Sequence, residues 1–210
     1  MAVLFYFCGQ ARFSPRIIIC LGSNIGIIVT MDSWAFYPVF VGTIISIIGW
    51  VAFVRREHDA MNPATLSMLA ARKRENIRYF RLILWVCGPL FGLTAIFFIA
   101  PHLQLPFLTS VLILMVGLEM LVGVFPPVDK MQKMIHEIIA YAMALSMAVA
   151  GVMLALSLPR FGWMEWLLVG LMLVCATFAV SRRTAFIFYE LGFIFMSHIT
   201  LVVAALALIS

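Results

Sequence analysis

The chain has 210 residues, of which 65% are hydrophobic and 11% charged, with a formal net charge of +5. Its mean hydropathy is +1.13, whereas a soluble domain is about half apolar and about a quarter charged; a water-soluble fold is excluded and lipid must be the main solvent. Basic residues are scattered through short connections rather than gathered on one face, which excludes a nucleic-acid footprint.

Residues 1–34 read as a leader set apart from the rest, either an interfacial segment or a non-native extension. The opening MAVLFYFC is apolar but too short to span, and Arg12 to Arg16 breaks it. Ile17 to Thr30 falls short of the roughly twenty residues a spanning helix needs and contains Gly22, Asn24 and Gly26. No basic residue precedes the first apolar run, so a signal peptide is not indicated.

The first span covers 35–54, with Trp34 and Tyr37 as interfacial anchors. Gly42, Ser46 and Gly49 form a small-residue stripe, the mark of a helix–helix contact in lipid. The long polar connection 55–81 follows. Asn62 and Pro63 read as a helix start. Residues 64–78 read as a short basic helix, either lying on an anionic membrane surface or simply solvated and carrying topogenic charge.

The second span covers 80–100, with Gly88 and Gly92 in a GxxxG stripe beside Pro89, which should kink the helix. The third covers 107–124 and carries Glu119. The fourth covers 134–158, opening with His136 and Glu137. Its Ala140, Ala144, Ala148 and Gly151 share one arc, the packing face, and Tyr141 lies at the arc's edge. The fifth covers 163–180, with Trp163 and Trp166 as its belt and Glu165 as an interfacial first-turn residue. The sixth covers 185–209 and holds Tyr189, Glu190, Ser197 and His198. The fold class is an all-α membrane protein, a bundle of about six transmembrane helices with short connections, forming one domain over 35–210.

Placing loops 55–81, 125–133 and 181–184 on one side puts Arg55, Arg56, Arg72, Lys73, Arg74, Arg78, Arg81, Lys130, Lys133, Arg182 and Arg183 there, against Arg160, Arg12 and Arg16 opposite. The positive-inside rule makes the richer side cytoplasmic and, with six spans, the C-terminus external, as expected of a multi-pass cell-membrane protein. At about 1.5 Å per residue, Glu119, His136, Glu137 and Glu190 then share the inner leaflet, with His198 about two turns deeper. Ionisable groups inside a membrane are costly and mark functional sites by default. Glu119, His136, Glu137, Tyr141, Glu190 and His198 are therefore the candidate ligand or proton site. Each also has a structural reading: a buried hydrogen-bonded carboxyl for Glu119, a first-turn acid for Glu137, a pairing with Arg182 or Arg183 for Glu190, a satisfied histidine for His136 and His198.

The turn and helix Gly123-Val-Phe-Pro-Pro followed by Ile-His-Glu and Ala-Tyr-Ala-Met-Ala (123–144) resembles a family of small prokaryotic membrane proteins catalogued as domain of unknown function 998. The resemblance implies about six spans, with Gly123, Phe125, Pro126 and His136 at the family-type positions, and no established activity. A more distant likeness to membrane hydrolases that hold zinc with histidines and an aspartate lacks the HxxxH spacing those need. No catalytic, nucleotide or redox motif is present, so no cofactor and no metal-ligand set is assigned. The expected partners are the bilayer and anionic lipid at residues 64–78, with no nucleic acid; oligomeric state is not readable. Three functions stay open: binding or moving a proton, cation or lipid-like ligand at the polar cluster; a metal-dependent membrane hydrolase using His136 and His198; and a structural or accessory protein whose charges are merely paired.

Overall fold

The computed structural model describes residues 3–4, 16–20, 26–30, 33–57, 65–158, 161–181 and 186–209. Ahead of the helices, strands β1 (Val3–Leu4), β2 (Arg16–Cys20) and β3 (Gly26–Thr30) pair antiparallel in that order, with Arg16 opposite Thr30 and Cys20 opposite Gly26. The sequence reading placed no strand in this leader. Ile17–Ile19 and Ile27–Val29 are β-branched runs, which favour extended backbone over helix.

The rest is helical. A 3-10 turn (Ser33–Phe36) leads into α1 (Tyr37–Arg56). Helix α2 is short (Leu66–Ala71), and α3 (Arg74–Thr94) continues through a π turn (Ala95–Ile99) into α4 (Ala100–Leu103). Then come α5 (Pro106–Val124), α6 (Lys130–Ser157), α7 (Gly162–Ser181) and α8 (Phe186–Ile209). Six of these segments are long and apolar enough to cross a membrane: Trp34–Arg56, Arg74–Leu103, Pro106–Val124, Lys130–Ser157, Gly162–Ala179 and Phe186–Ile209. This is the all-α bundle of a multi-pass membrane protein.

Neighbours in the chain pack in space. Helix α1 lies on α3, α3 on α5, α5 on α6, α6 on α7 and α7 on α8, and α8 closes the ring on α1. Small residues set these contacts. A Cβ on Gly42 would come within 3.1 Å of Phe91, and one on Gly49 within 3.1 Å of Ile83, so the α1 stripe seats α3. On α3, Gly88 faces Met120 and Gly92 faces Val116. The GxxxG stripe therefore joins α3 to α5 within one chain. Thr94 Oγ1 donates to Ala35 O at 2.8 Å and accepts from Val39 N at 3.1 Å, tying the start of α1 to α3.

Two expectations change. The basic helix at 64–78 is not one helix. Helix α2 ends at Ala71, Lys73 is extended, and Arg74 opens the second span. Leu66, Leu69 and Ala70 are buried against the protein, while Met68 is exposed. Its N-cap is Thr65, whose hydroxyl accepts from Met68 N at 3.1 Å; the Asn62–Pro63 start lies outside the described residues. Helix α3 also runs on through Pro89, and its departure from α geometry is the π turn after Thr94.

The end of the bundle where α1, α5 and α7 finish and α3, α6 and α8 begin carries most of the basic residues and is called the basic end below.

Candidate functional site

The connection between α5 and α6 sits at the basic end, and its carbonyls are caught one after another. Arg81 on α3 donates from Nε to Gly123 O at 2.9 Å and from a terminal guanidinium nitrogen to Val124 O at 3.3 Å. His136 Nδ1 lies 2.8 Å from Phe125 O, and Val128 N donates to Pro126 O at 2.8 Å. The end of a helix leaves carbonyls without intrahelical partners; here side chains from α3 and α6 satisfy them. Because a carbonyl only accepts, His136 Nδ1 carries the hydrogen, which fixes the tautomer of the neutral ring. Gly123 has a steric reason as well: a Cβ there would lie 3.1 Å from the Trp85 indole nitrogen. Asn, Ser or Ala at 123 would push Trp85 away from the turn.

Beside this turn, α2, α6, α7 and α8 enclose a cleft of about 350 Å³. Four of the six candidate residues, His136, Glu137, Tyr141 and Glu190, line it. Ser67, Lys133 and Tyr189 add polar lining, with Met68 and Phe186 among them, and Met143, Phe193 and Ile194 line the cleft further along α6 and α8. The space exists because alanines face it: Ala140 and Ala144 from α6, Ala176 and Ala179 from α7. The predicted packing arc of α6 thus does two jobs. Its far half packs, with Gly151 so close to α7 that a Cβ would meet Val169 at 2.9 Å; Ala148 between the halves is half-buried. Its near half leaves room.

The carboxylates of the cleft already have local partners. Glu190 Oε2 accepts from Leu66 N at 2.8 Å, so α8 caps the start of α2. The expected partners Arg182 and Arg183 lie outside the described residues. Glu137 is 3.8 Å from Lys133 on the next turn, both half-exposed. Such a pair contributes only a few tenths of a kcal/mol. Tyr141 is 74% exposed at the rim.

Glu119 and His198 lie elsewhere. They meet in the core, Glu119 Oε1 at 3.7 Å from His198 Nε2, with residue exposures of 3% and 2%. That distance is an ion-pair contact but too long for a hydrogen bond. Among the described residues, Glu119 Oε2 and both His198 nitrogens have no hydrogen-bond partner. The imidazole stacks on Phe91 with centroids 4.0 Å apart and planes 27° from parallel. Cys87 on α3 is within electrostatic reach of Glu119 and points its thiol at Gly42 O, 3.6 Å away. The sequence reading placed His198 about two turns deeper than Glu119 and grouped all six residues together. Side-chain direction corrects this. Helical side chains lean toward their own N-terminus. Helix α5 runs toward the basic end and α8 away from it, so Glu119 leans into the bundle and His198 leans back to meet it.

One buried acid was misread as interfacial. Glu165 on α7 is 0% exposed, and among the described residues neither carboxylate oxygen has a hydrogen-bond partner. The signal was present in the helix phase: Gly162, Glu165, Val169 and Met172 recur on one face, and all four are buried.

Outside the membrane spans, Glu57 accepts from Asn76 Nδ2 at 3.0 Å and from Lys73 Nζ at 3.0 Å. The Asn76 hydrogen bond first, then Lys73, hold its carboxyl below the usual range.

Among the described residues no three His, Cys, Asp or Glu side chains converge as a metal site would require. The hydrolase alternative, with His136 and His198 as ligands, therefore has no ligand set among the described residues. No family model matches the sequence, and no curated protein or solved structure is significantly similar to it.

Proposed function

We propose that this membrane protein binds the head group of a lipid-like amphiphile in the cleft between α2, α6, α7 and α8. The observation that carries this reading is a cleft that sets Ser67, Lys133, His136, Glu137 and Glu190 beside an apolar wall of Met143, Phe193 and Ile194. A volume of about 350 Å³ suits a head group and the start of a chain rather than a whole lipid. Glu137 and Glu190 accept from N–H or O–H donors, and Lys133 complements a phosphate. The head group is therefore one that carries donors, such as phosphoethanolamine. In this reading the basic end is cytoplasmic, as the charge bias supports. Membership of the family of domain of unknown function 998 is part of the same proposal. It is supported by Gly123, Phe125, Pro126 and His136, which build the turn beside the cleft.

The test is retention of phosphatidylethanolamine against phosphatidylcholine by the purified protein in detergent, read by native mass spectrometry. The first is expected to be retained preferentially, and Ala144→Phe, which fills the cleft, to abolish the preference without unfolding the protein. Equal retention of both lipids, or a preference untouched by Ala144→Phe, would sink the reading.

A second reading has its own observation, the Glu119–His198 pair. We infer that the pair is where a proton or small polar ligand is taken up, because among the described residues Glu119 Oε2 and both His198 nitrogens have no hydrogen-bond partner, and buried polar groups left open are costly. Cys87 is the other titratable group facing them from α3. Infrared difference spectra of the wild type against Glu119→Gln, recorded in ordinary and in deuterated water, would show an exchange-sensitive carboxyl band; a band that deuteration leaves unshifted would rule out proton exchange at this site.

A further inference from the structure

We propose that the groove between α3 and the α5–α6 turn binds the phosphate of an anionic phospholipid, on the opposite side of the turn from the cleft and independently of it. Arg74, Arg78 and Arg81 step along one face of α3. Two adjoining cavities of about 390 and 520 Å³ share Arg78, Arg81 and Val124. The first also takes in Arg74; the second runs on to Leu82 and Trp85.

The argument is one of missing counter-ions. Like charges at i, i+4 repel on a bare helix, so Arg74 and Arg78 call for an anion. The described carboxylates at this end are engaged. Glu57 pairs with Lys73, Glu75 with Arg56 at 2.7 Å, and Glu137 with Lys133. Glu190 caps α2. Asp129, which also lines the groove, caps α6 by accepting from Gln132 N at 2.7 Å. Arg74 and Arg78 have no hydrogen-bond or ion-pair partner among the described residues. Arg81 is fixed across the groove by the carbonyls of Gly123 and Val124. Guanidinium groups match phosphate oxygens in geometry as well as charge.

What identifies the anion as lipid is the next turn of the helix. Beyond the arginines the groove opens onto Leu82 and Trp85, both more than half exposed on the outer face of a spanning helix. Trp85 packs close against Gly123, where a Cβ would lie 3.1 Å from its indole nitrogen, and offers an acyl chain an apolar wall at the interface. A soluble anion would use the arginines and ignore this surface. A phospholipid uses both.

The experiment is native mass spectrometry of the full chain in detergent, titrated with phosphatidylglycerol or with phosphatidylcholine of the same acyl chains. The wild type should retain phosphatidylglycerol preferentially. The Arg74→Gln, Arg78→Gln pair should lower that retention by about tenfold or more, and Trp85→Ala should lower retention of both lipids. Arg72→Gln, which removes an exposed charge just outside the groove, should change retention less than twofold. Three results would overturn the proposal: retention unaffected by the double substitution, an equal loss in Arg72→Gln, or full competition by inorganic phosphate with no effect of Trp85→Ala. The last would mark a free-anion site instead.

Discussion

His136 and His198 look alike in the sequence, each a lone histidine in an apolar helix, yet the protein treats them in opposite ways. His136 closes a hydrogen bond to Phe125 O and helps hold a turn whose carbonyls are taken in succession. His198 closes none among the described residues; it lies between Phe91 and Glu119 with neither nitrogen hydrogen-bonded. One polar group is part of the scaffold. The other is kept at a cost, because an unsatisfied buried polar group opposes folding. A polar residue in lipid therefore marks function most clearly where its bonds are left open, not merely where it is buried.

This contrast can be broken by stability measurements in detergent. His136→Ala should have the largest effect, a loss of about 1–3 kcal/mol, seen as a fall in Tm of several degrees. If it melts like the wild type, the turn is not held as described. Glu165→Leu should act in the opposite direction, raising stability by about 1 kcal/mol, because it removes an acid with no partner. A loss of Tm there would mean that Glu165 has a partner the unpaired geometry does not show. His198→Phe should be smaller still, within about 0.5 kcal/mol of wild type, since the stack on Phe91 survives and removing two ring nitrogens without hydrogen bonds offsets the loss of the Glu119 contact. If it destabilises as much as His136→Ala, the distinction between the two histidines fails.

The smallest effect concerns pH. Glu57 has a lowered pKa in the folded protein, so its contribution is present above the ordinary carboxylate range and lost as pH falls through the folded value. Lys73 is largely exposed, which weakens the pairing. Glu57→Gln should slightly flatten the acid limb of the stability profile; an unchanged limb would show that Glu57 adds nothing.

Hydropathy alone located the spans. Gly42, Gly49, Gly88 and Gly92 also stood out as places where backbones approach, because in lipid only small residues allow that. The polar sites were harder to read. Depth along each helix was counted from its membrane end, which ignores the lean of side chains, and so Glu119 and His198 seemed separated when they meet. Glu165 was hidden by its neighbours Trp163 and Trp166, which imply an interface; only helix phase distinguishes the exposed tryptophans from the buried acid. The strands of the leader escaped notice because a search for spans asks about length, and Ile17–Ile19 and Ile27–Val29 answer a different question, that of β-branching.

The latched turn between α5 and α6 has a consequence for biogenesis. Its carbonyls wait for Arg81, made before the turn, and for His136, made after it. During synthesis the α3–α5 pair can insert with that backbone still open to water, but the connection sets only when the start of α6 arrives. Assembly should then proceed by triplets of helices rather than by hairpins. A ribosome-bound chain stalled with the turn emerged but His136 still inside the exit tunnel would show this as protease cleavage between Val124 and Asp129, and the cleavage would vanish once α6 has emerged.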